Sequence, residues 1–203
     1  MTDNLDAPVK TGLAKLRVTL LRPAARYSIL SLLLIGFFAG LVGFGGFHAG
    51  LDATNTTQFC ISCHEMNDTV YQEYRTTVHY SNRTGVRAGC PDCHVPKELG
   101  NKLIAKVKAS HDIWASLTGS INTKEKFEAR RMTLAQNQWT KMKASDSREC
   151  RNCHVFEGMD AKKQRPSAQK KHAGASQEGK TCIDCHKGIA HLLPKEYKEE
   201  DEE

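Results

Sequence analysis

The chain has 203 residues, of which 39% are hydrophobic, 26% charged and 7% aromatic, and its formal net charge is +6. That length accommodates one modest domain with attachments, and apolar residues are too plentiful for a chain disordered throughout. A mean hydropathy of −0.51 argues against several membrane spans but can hide one, and eight Cys with nine His require an explanation.

Residues 1–26 form a basic N-terminus, in which Lys10, Lys15, Arg17, Arg22 and Arg26 stand against only Asp3 and Asp6. Residues 27–47 then read YSILSLLLIGFFAGLVGFGGF, 21 residues without a charge, about the length needed to cross the hydrocarbon core of a bilayer. A cleaved secretory signal has an apolar stretch of only about 7–15 residues and ends at an A-x-A site. No clean A-x-A follows Phe47, so a retained transmembrane anchor is predicted. Basic residues next to a span stay cytoplasmic, which places residues 48–194 in the periplasm of a bacterial cell, carried on a single-pass inner-membrane helix. Gly36 and Gly40 fit the small-xxx-small pattern of paired helices, the basis for a homodimer; Gly is also simply common in membrane helices. His48, where the span leaves the membrane, is read as an interfacial polar residue.

The eight cysteines form four pairs of one kind: Cys60-Ile-Ser-Cys63-His64, Cys90-Pro-Asp-Cys93-His94, Cys150-Arg-Asn-Cys153-His154 and Cys182-Ile-Asp-Cys185-His186. C-x-x-C-H is the attachment site of a c-type haem: two thiols bond the two vinyl groups on one porphyrin edge, and the next residue offers an imidazole to the iron. Zinc ribbons and thioredoxin-like pairs need no His after each pair. Four covalently bound haem c groups are therefore expected. The first cysteines fall at 60, 90, 150 and 182, two and two, suggesting an internal duplication of a two-haem unit. His79 and His172 precede the second site of each half by 11 and 10 residues.

Haem iron in electron transfer usually takes a second axial ligand. Of the histidines outside the motifs, His79, His172 and His191 are the candidate distal ligands. Met66, two residues after His64, competes with that histidine for the first iron; its other role is apolar packing.

Between the second and third motifs, Leu99, Leu103, Val107, Trp114 and Leu117 recur at helical spacing. With Lys97, Lys102, Lys106 and Lys108 they make a basic amphipathic helix, suited to an anionic membrane surface or to packing on the haem core. A second helix is predicted from Thr123 to Lys143, capped by Asn122 with Glu125 three residues later, its buried face made of Phe127, Leu134, Ala135, Trp139 and Met142. Residues 195–203 are read as an acidic, solvated tail.

The stretches Phe59-CISCHEM-Asn67, Val78-His79-Tyr80, CPDCHVP and CIDCHKGIAH resemble the NapC/NirT family of membrane-anchored tetrahaem quinol dehydrogenases, whose superfamily includes NrfH-type proteins. The resemblance implies a mostly α protein: one transmembrane helix and a compact tetrahaem domain with few regular elements, in which haems supply much of the core. His79 and His191 resemble the distal ligands of the two middle haems, and His172 stands where the NapC branch has a ligand. Met66 resembles the residue that displaces His64 at the first iron, and Asp112 the carboxylate over that haem's open face. Some NapC-type chains have His three residues after the second motif; here that residue is Lys97, so the first haem lacks a strong distal histidine unless His111 serves.

The activity so implied is oxidation of membrane quinol, menaquinol or ubiquinol, with electrons passed through four haems to a periplasmic reductase, nitrate reductase in the NapC branch and nitrite or other reductases elsewhere. Quinol releases protons as well as electrons, so its site needs a proton acceptor beside a haem at the bilayer surface. Asp112, with Lys106 or Lys102 to polarise a quinol oxygen, fits that description beside the first haem. Two other readings are a tethered relay fed by another protein and reduction of a small molecule at an open haem. Nucleic acid is not expected as a partner, since the basic residues are dispersed.

Overall fold

The computed structural model describes residues 12–13, 26–175 and 177–198; most of the predicted basic N-terminus, and tail residues 199–203, lie outside the described residues. The chain divides into two units, Met1–Gly50 and Leu51–Glu203. Among the described residues there are helices and turns and no strand.

In the first unit, α1 (Ile29–Ala53) begins two residues later than the predicted span and continues six beyond it. Neither Pro nor a turn signal interrupts His48 to Ala53, so the helix persists where the apolar run has ended. Its 25 residues rise about 37 Å at 1.5 Å each, enough for a hydrocarbon core of about 30 Å. Its mean hydropathy reaches 2.2 and none of that window is covered by protein. The His48 ring stacks on Phe44 one turn earlier, centroids 4.4 Å apart.

The second unit is a set of short helices around two longer ones. The cysteine motifs sit on or beside α2 (Thr57–Cys60), α3 (His64–Asp68), α5 (Cys90–His94), α8 (Arg148–Arg151) and α10 (Cys182–Cys185), with α4 (Val70–Tyr74) after the first motif and α9 (Pro166–Ala175) before the last. The longer helices are α6 (Leu99–Leu117) and α7 (Lys124–Ala144).

Helix α6 stops at Thr118 because Gly119 takes φ +69°, a conformation with no steric cost for glycine. Gly119 N–H donates to Ser116 O (3.0 Å) and Ser120 N–H to Ala115 O (2.9 Å), the paired bonds of a Schellman ending. Helix α7 is capped by Thr123, not Asn122: the Thr123 hydroxyl accepts from Lys126 N–H at 3.3 Å, while Asn122 Oδ1 receives the Lys126 ammonium at 2.9 Å. Its buried residues are Phe127, Arg131 and Met142. Leu134 shares the Phe127 face but is 39% exposed, and it stands one turn before Gln138, which bonds His94.

The expected duplication has a local counterpart. Three residues before the first cysteine of each half stands a hydroxyl, and both accept a backbone N–H from that half's second motif: Thr57 Oγ1 from Cys90 (3.2 Å) and Ser147 Oγ from Ile183 (3.1 Å). In each second motif the aspartate caps the helix start, Asp92 accepting from Gly89 N–H and Asp184 from Thr181 N–H, both at 2.7 Å. Gly89 is needed because a Cβ there would lie 2.8 Å from Thr57 Oγ1. Asp146 and Ser147 have φ of 51° and 48°, costing about 1–2 kcal/mol each for non-glycine residues; this turn sets the fully buried Ser147 under the fourth motif.

Tyr74, Ala115, Ile121, Phe127, Met142 and Ile183 are the buried apolar side chains among the described residues. That is a small protein core for a domain of this length, whose stability ordinarily scales with apolar burial.

Candidate functional site

None of the eight cysteines is in a disulfide. Their neighbours place the motifs in chain order: Cys60 lies near Cys90, Cys93 near Cys150 and Cys153, and Cys150 near Cys182.

Three motif histidines each face one of the histidines outside the motifs. The ring centroids of His94 and His191 are 6.1 Å apart, those of His154 and His79 6.2 Å, and those of His186 and His172 5.9 Å. Two metal–imidazole bonds of about 2 Å, plus about 1 Å from each nitrogen to its ring centre, give about 6 Å. The spacing therefore fits one iron between each pair, the arrangement of a low-spin electron-transfer haem. Desolvation by the surrounding chain lowers His94 to about 4, with His191 beside it adding to the effect, although the residue still borders open space. Burial also lowers His186 and His191, His172 reinforcing it at His186. All three are held as neutral imidazole, the form that binds metal.

Side chains invisible to motif reading orient these rings. Gln164 Oε1 lies 2.7 Å from Nδ1 of His172, and Gln164 is itself held by Gln169, whose Nε2 donates to its carbonyl at 2.7 Å. The Phe156 ring stands edge-on to His172 at 6.1 Å. Beside His191, Leu192 N–H donates to Glu73 Oε2 at 2.9 Å and Leu192 O accepts from Arg131 at 3.2 Å.

The first motif differs. No imidazole faces His64 at comparable distance among the described residues. Its side chain is 64% exposed, with Nε2 3.3 Å from Glu65 Oε1 and Nδ1 3.8 Å from Asp68 Oδ2. Glu65 is buried and accepts from the Ser116 hydroxyl at 2.7 Å. Burial pushes Glu65 up, but the Ser116 bond, its own backbone and His64 outweigh that and leave it below the ordinary carboxylate value. Met66 is half-buried on α3.

Helix α6 runs beside this motif. Lys106 donates to Thr54 O and to Thr54 Oγ1 (3.1 Å), stands 5.9 Å from the Phe59 ring centre and lies near Cys60. Burial lowers the Lys106 pKa. Lys102 is half-buried one turn earlier on the same face. Asp112 is exposed, with Oδ1 3.9 Å from His111 Nδ1. At 100° per residue, Asp112 is about 120° around the helix from Lys106 and on the side of Ser116. Lys106 thus reaches the first motif, while Asp112 projects from another side of α6 and the two do not meet. Val107 and Trp114 on α6 are 73% and 66% exposed; Lys97 is exposed.

Four C-x-x-C-H motifs in line, three with opposed imidazoles, on a chain that also carries a helix fit to span a bilayer, define a membrane-anchored tetrahaem c-type cytochrome. The chain belongs to the NapC/NirT cytochrome c family, whose N-terminal-region model matches residues 22–196. It is 56% identical over 182 residues to the denitrification system component NirT of Stutzerimonas stutzeri, covering 90% of each chain. It is 55% identical over 185 residues to the cytochrome c-type protein NapC of Escherichia coli (strain K12), covering 91% of this chain and 92% of that one. A chain in the crystal structure of the cytochrome c nitrite reductase NrfHA complex bound to the HQNO inhibitor is similar at 22% identity and a TM-score of 0.47, over 79% of this chain and 90% of that one. Members of the family are membrane-anchored electron-transfer cytochromes.

Proposed function

We propose that the protein oxidises membrane quinol at the first haem and passes electrons, one at a time, through the second, third and fourth haems to a periplasmic reductase. The observation that carries this is the linear order of the motifs. Lys106 joins the residue following α1, Thr54, to the neighbourhood of Cys60, and from Cys60 the cysteines adjoin in the sequence first, second, third, fourth. A haem, when bound, supplies a one-electron carrier at each motif. His94 with His191, His154 with His79 and His186 with His172 would hold the second, third and fourth irons. Met66 holds the first, leaving His64 to its two carboxylates.

Quinol binds beside that first haem and gives up two electrons and two protons, Asp112 taking each proton in turn and releasing it to water. Lys106 and Lys102 supply positive charge toward a quinol oxygen. The reductase served is a nitrate reductase, as the family resemblance implies; the similarity to NirT keeps other denitrification reductases as the second choice. The two-glycine face of α1 pairs two copies in the membrane.

The test is reduction of the purified four-haem protein by a water-soluble quinol, with dithionite as the control. Fast quinol reduction, slowed at least tenfold in Asp112→Asn with the haem spectra unchanged, is expected. Reduction by dithionite alone makes the protein a relay fed by another protein.

A further inference from the structure

Arg131 is a charged residue on the buried face of α7, 7% exposed. Its guanidinium is shared between two carboxylates: Nε and one terminal nitrogen bond Glu128 at 2.8 and 2.7 Å, and the other face meets both oxygens of Glu73 on α4, at 3.0 and 2.5 Å. Replacing such a buried network with apolar residues commonly costs no stability, so its use is better sought in fixing one arrangement of the chain.

What it fixes is visible at residue 192. Glu73 Oε2 accepts the Leu192 N–H and Arg131 donates to the Leu192 carbonyl, so both polar groups of that residue are held by the same ion pair. Leu192 follows His191 directly. After Cys185 the described chain has no helix or strand to hold it in place, and the Leu192 side chain is itself exposed. The other tether close to the segment's end is the Tyr197 ring against Trp139, at 5.2 Å, several residues away. The Glu73–Arg131 pair thus anchors the backbone directly after His191.

We infer that Arg131, with Glu73, is a positioning residue for the distal imidazole of the second haem, locking the backbone after His191 so that its ring stays opposite His94. This rests on the proposed ligation of that haem by His191. A guanidinium suits the task because its rigid planar fork serves two carboxylates and a carbonyl at fixed angles, whereas an ammonium is a rotatable point charge.

The experiment is low-temperature electron paramagnetic resonance of the oxidised full-length protein, on preparations confirmed to carry four haems. His191→Ala should lose one of three low-spin bis-imidazole signals, gain a high-spin signal and recover on adding imidazole. Arg131→Gln should show the same loss in at least half the molecules and the same recovery. Glu73→Gln/Arg131→Met, which leaves fewer unpaired buried charges, is expected to match it and decides the question if Arg131→Gln does not accumulate. If His191→Ala loses the signal while the Arg131 variants keep all three, positioning by Arg131 is wrong. The same conclusion follows if their loss is not reversed by imidazole. If His191→Ala keeps all three signals, the ligand assignment fails instead.

Discussion

Gln164 presents its side-chain oxygen to Nδ1 of His172 at 2.7 Å, leaving Nε2 directed away from that bond. An acceptor on the far nitrogen makes the imidazole a stronger donor to metal and fixes the ring's tautomer. Gln164→Leu should therefore raise the midpoint potential of one of the four haems. A neutral hydrogen bond is worth about 1 kcal/mol, or about 40 mV for one electron where 59 mV is tenfold. Gln164→Glu should move the same component downward. A redox titration in which no component shifts in either variant would remove Gln164 from this role.

Arg131 also sets an acid dependence. Its hydrogen bond holds the Glu128 carboxyl below the usual range. A carboxyl depressed in the folded state contributes stability that is fully present above its unfolded pKa of about 4.3 and disappears as pH falls through the lower folded value. Arg131→Gln removes that contribution and strands Glu73 in a buried place, at a cost of about 3–5 kcal/mol near pH 7. The deficit should shrink as pH falls below about 4.3, where the wild type loses the Glu128 contribution. Denaturant unfolding of both proteins at pH 7 and pH 4 measures it; a deficit equal at the two values contradicts the account.

The first haem gives a third test. His64 lies between Glu65 and Asp68, and Met66 is the proposed ligand. Met66→Leu in protein that retains four haems should alter the spectrum of one haem and leave the three bis-imidazole signals unchanged. An unaltered spectrum returns the iron to His64.

Haem removal gives the fourth. With so few buried apolar side chains, the second unit has little to fold around until porphyrins fill the space its motifs enclose. Chain synthesised without haem attachment should be cut readily by protease throughout residues 54–198, whereas the haem-loaded protein resists. Equal resistance would show that the protein core suffices.

The covalent motifs and the span were legible in the sequence because porphyrin vinyl spacing and bilayer thickness impose fixed distances along the chain. Helix α6, expected from the apolar spacing around Leu99 and Leu117, was equally readable. The α7 cap was misplaced by one residue, since Asn122 and Thr123 are both good caps and only Lys126 decides between them. Which histidine faces which was beyond reach: the parallel between His79 and His172 suggests that each serves its own half, yet His79 faces His154 while His172 faces His186. Arg131 was missed because an arginine on an apolar face has no signature until Glu73 is brought to it from another helix.

The crossing of His79 and His191 between halves has a consequence for biogenesis. If the periplasmic domain is translocated in chain order from residue 48, then on the proposed ligation the second haem can be attached early but stays one ligand short until residue 191 has emerged. The third haem, by contrast, finds His79 already waiting. On that ligation neither two-haem half completes its own coordination, so the duplicated halves are no longer separable: a fragment ending between them would carry an exposed, reactive iron rather than a smaller working wire.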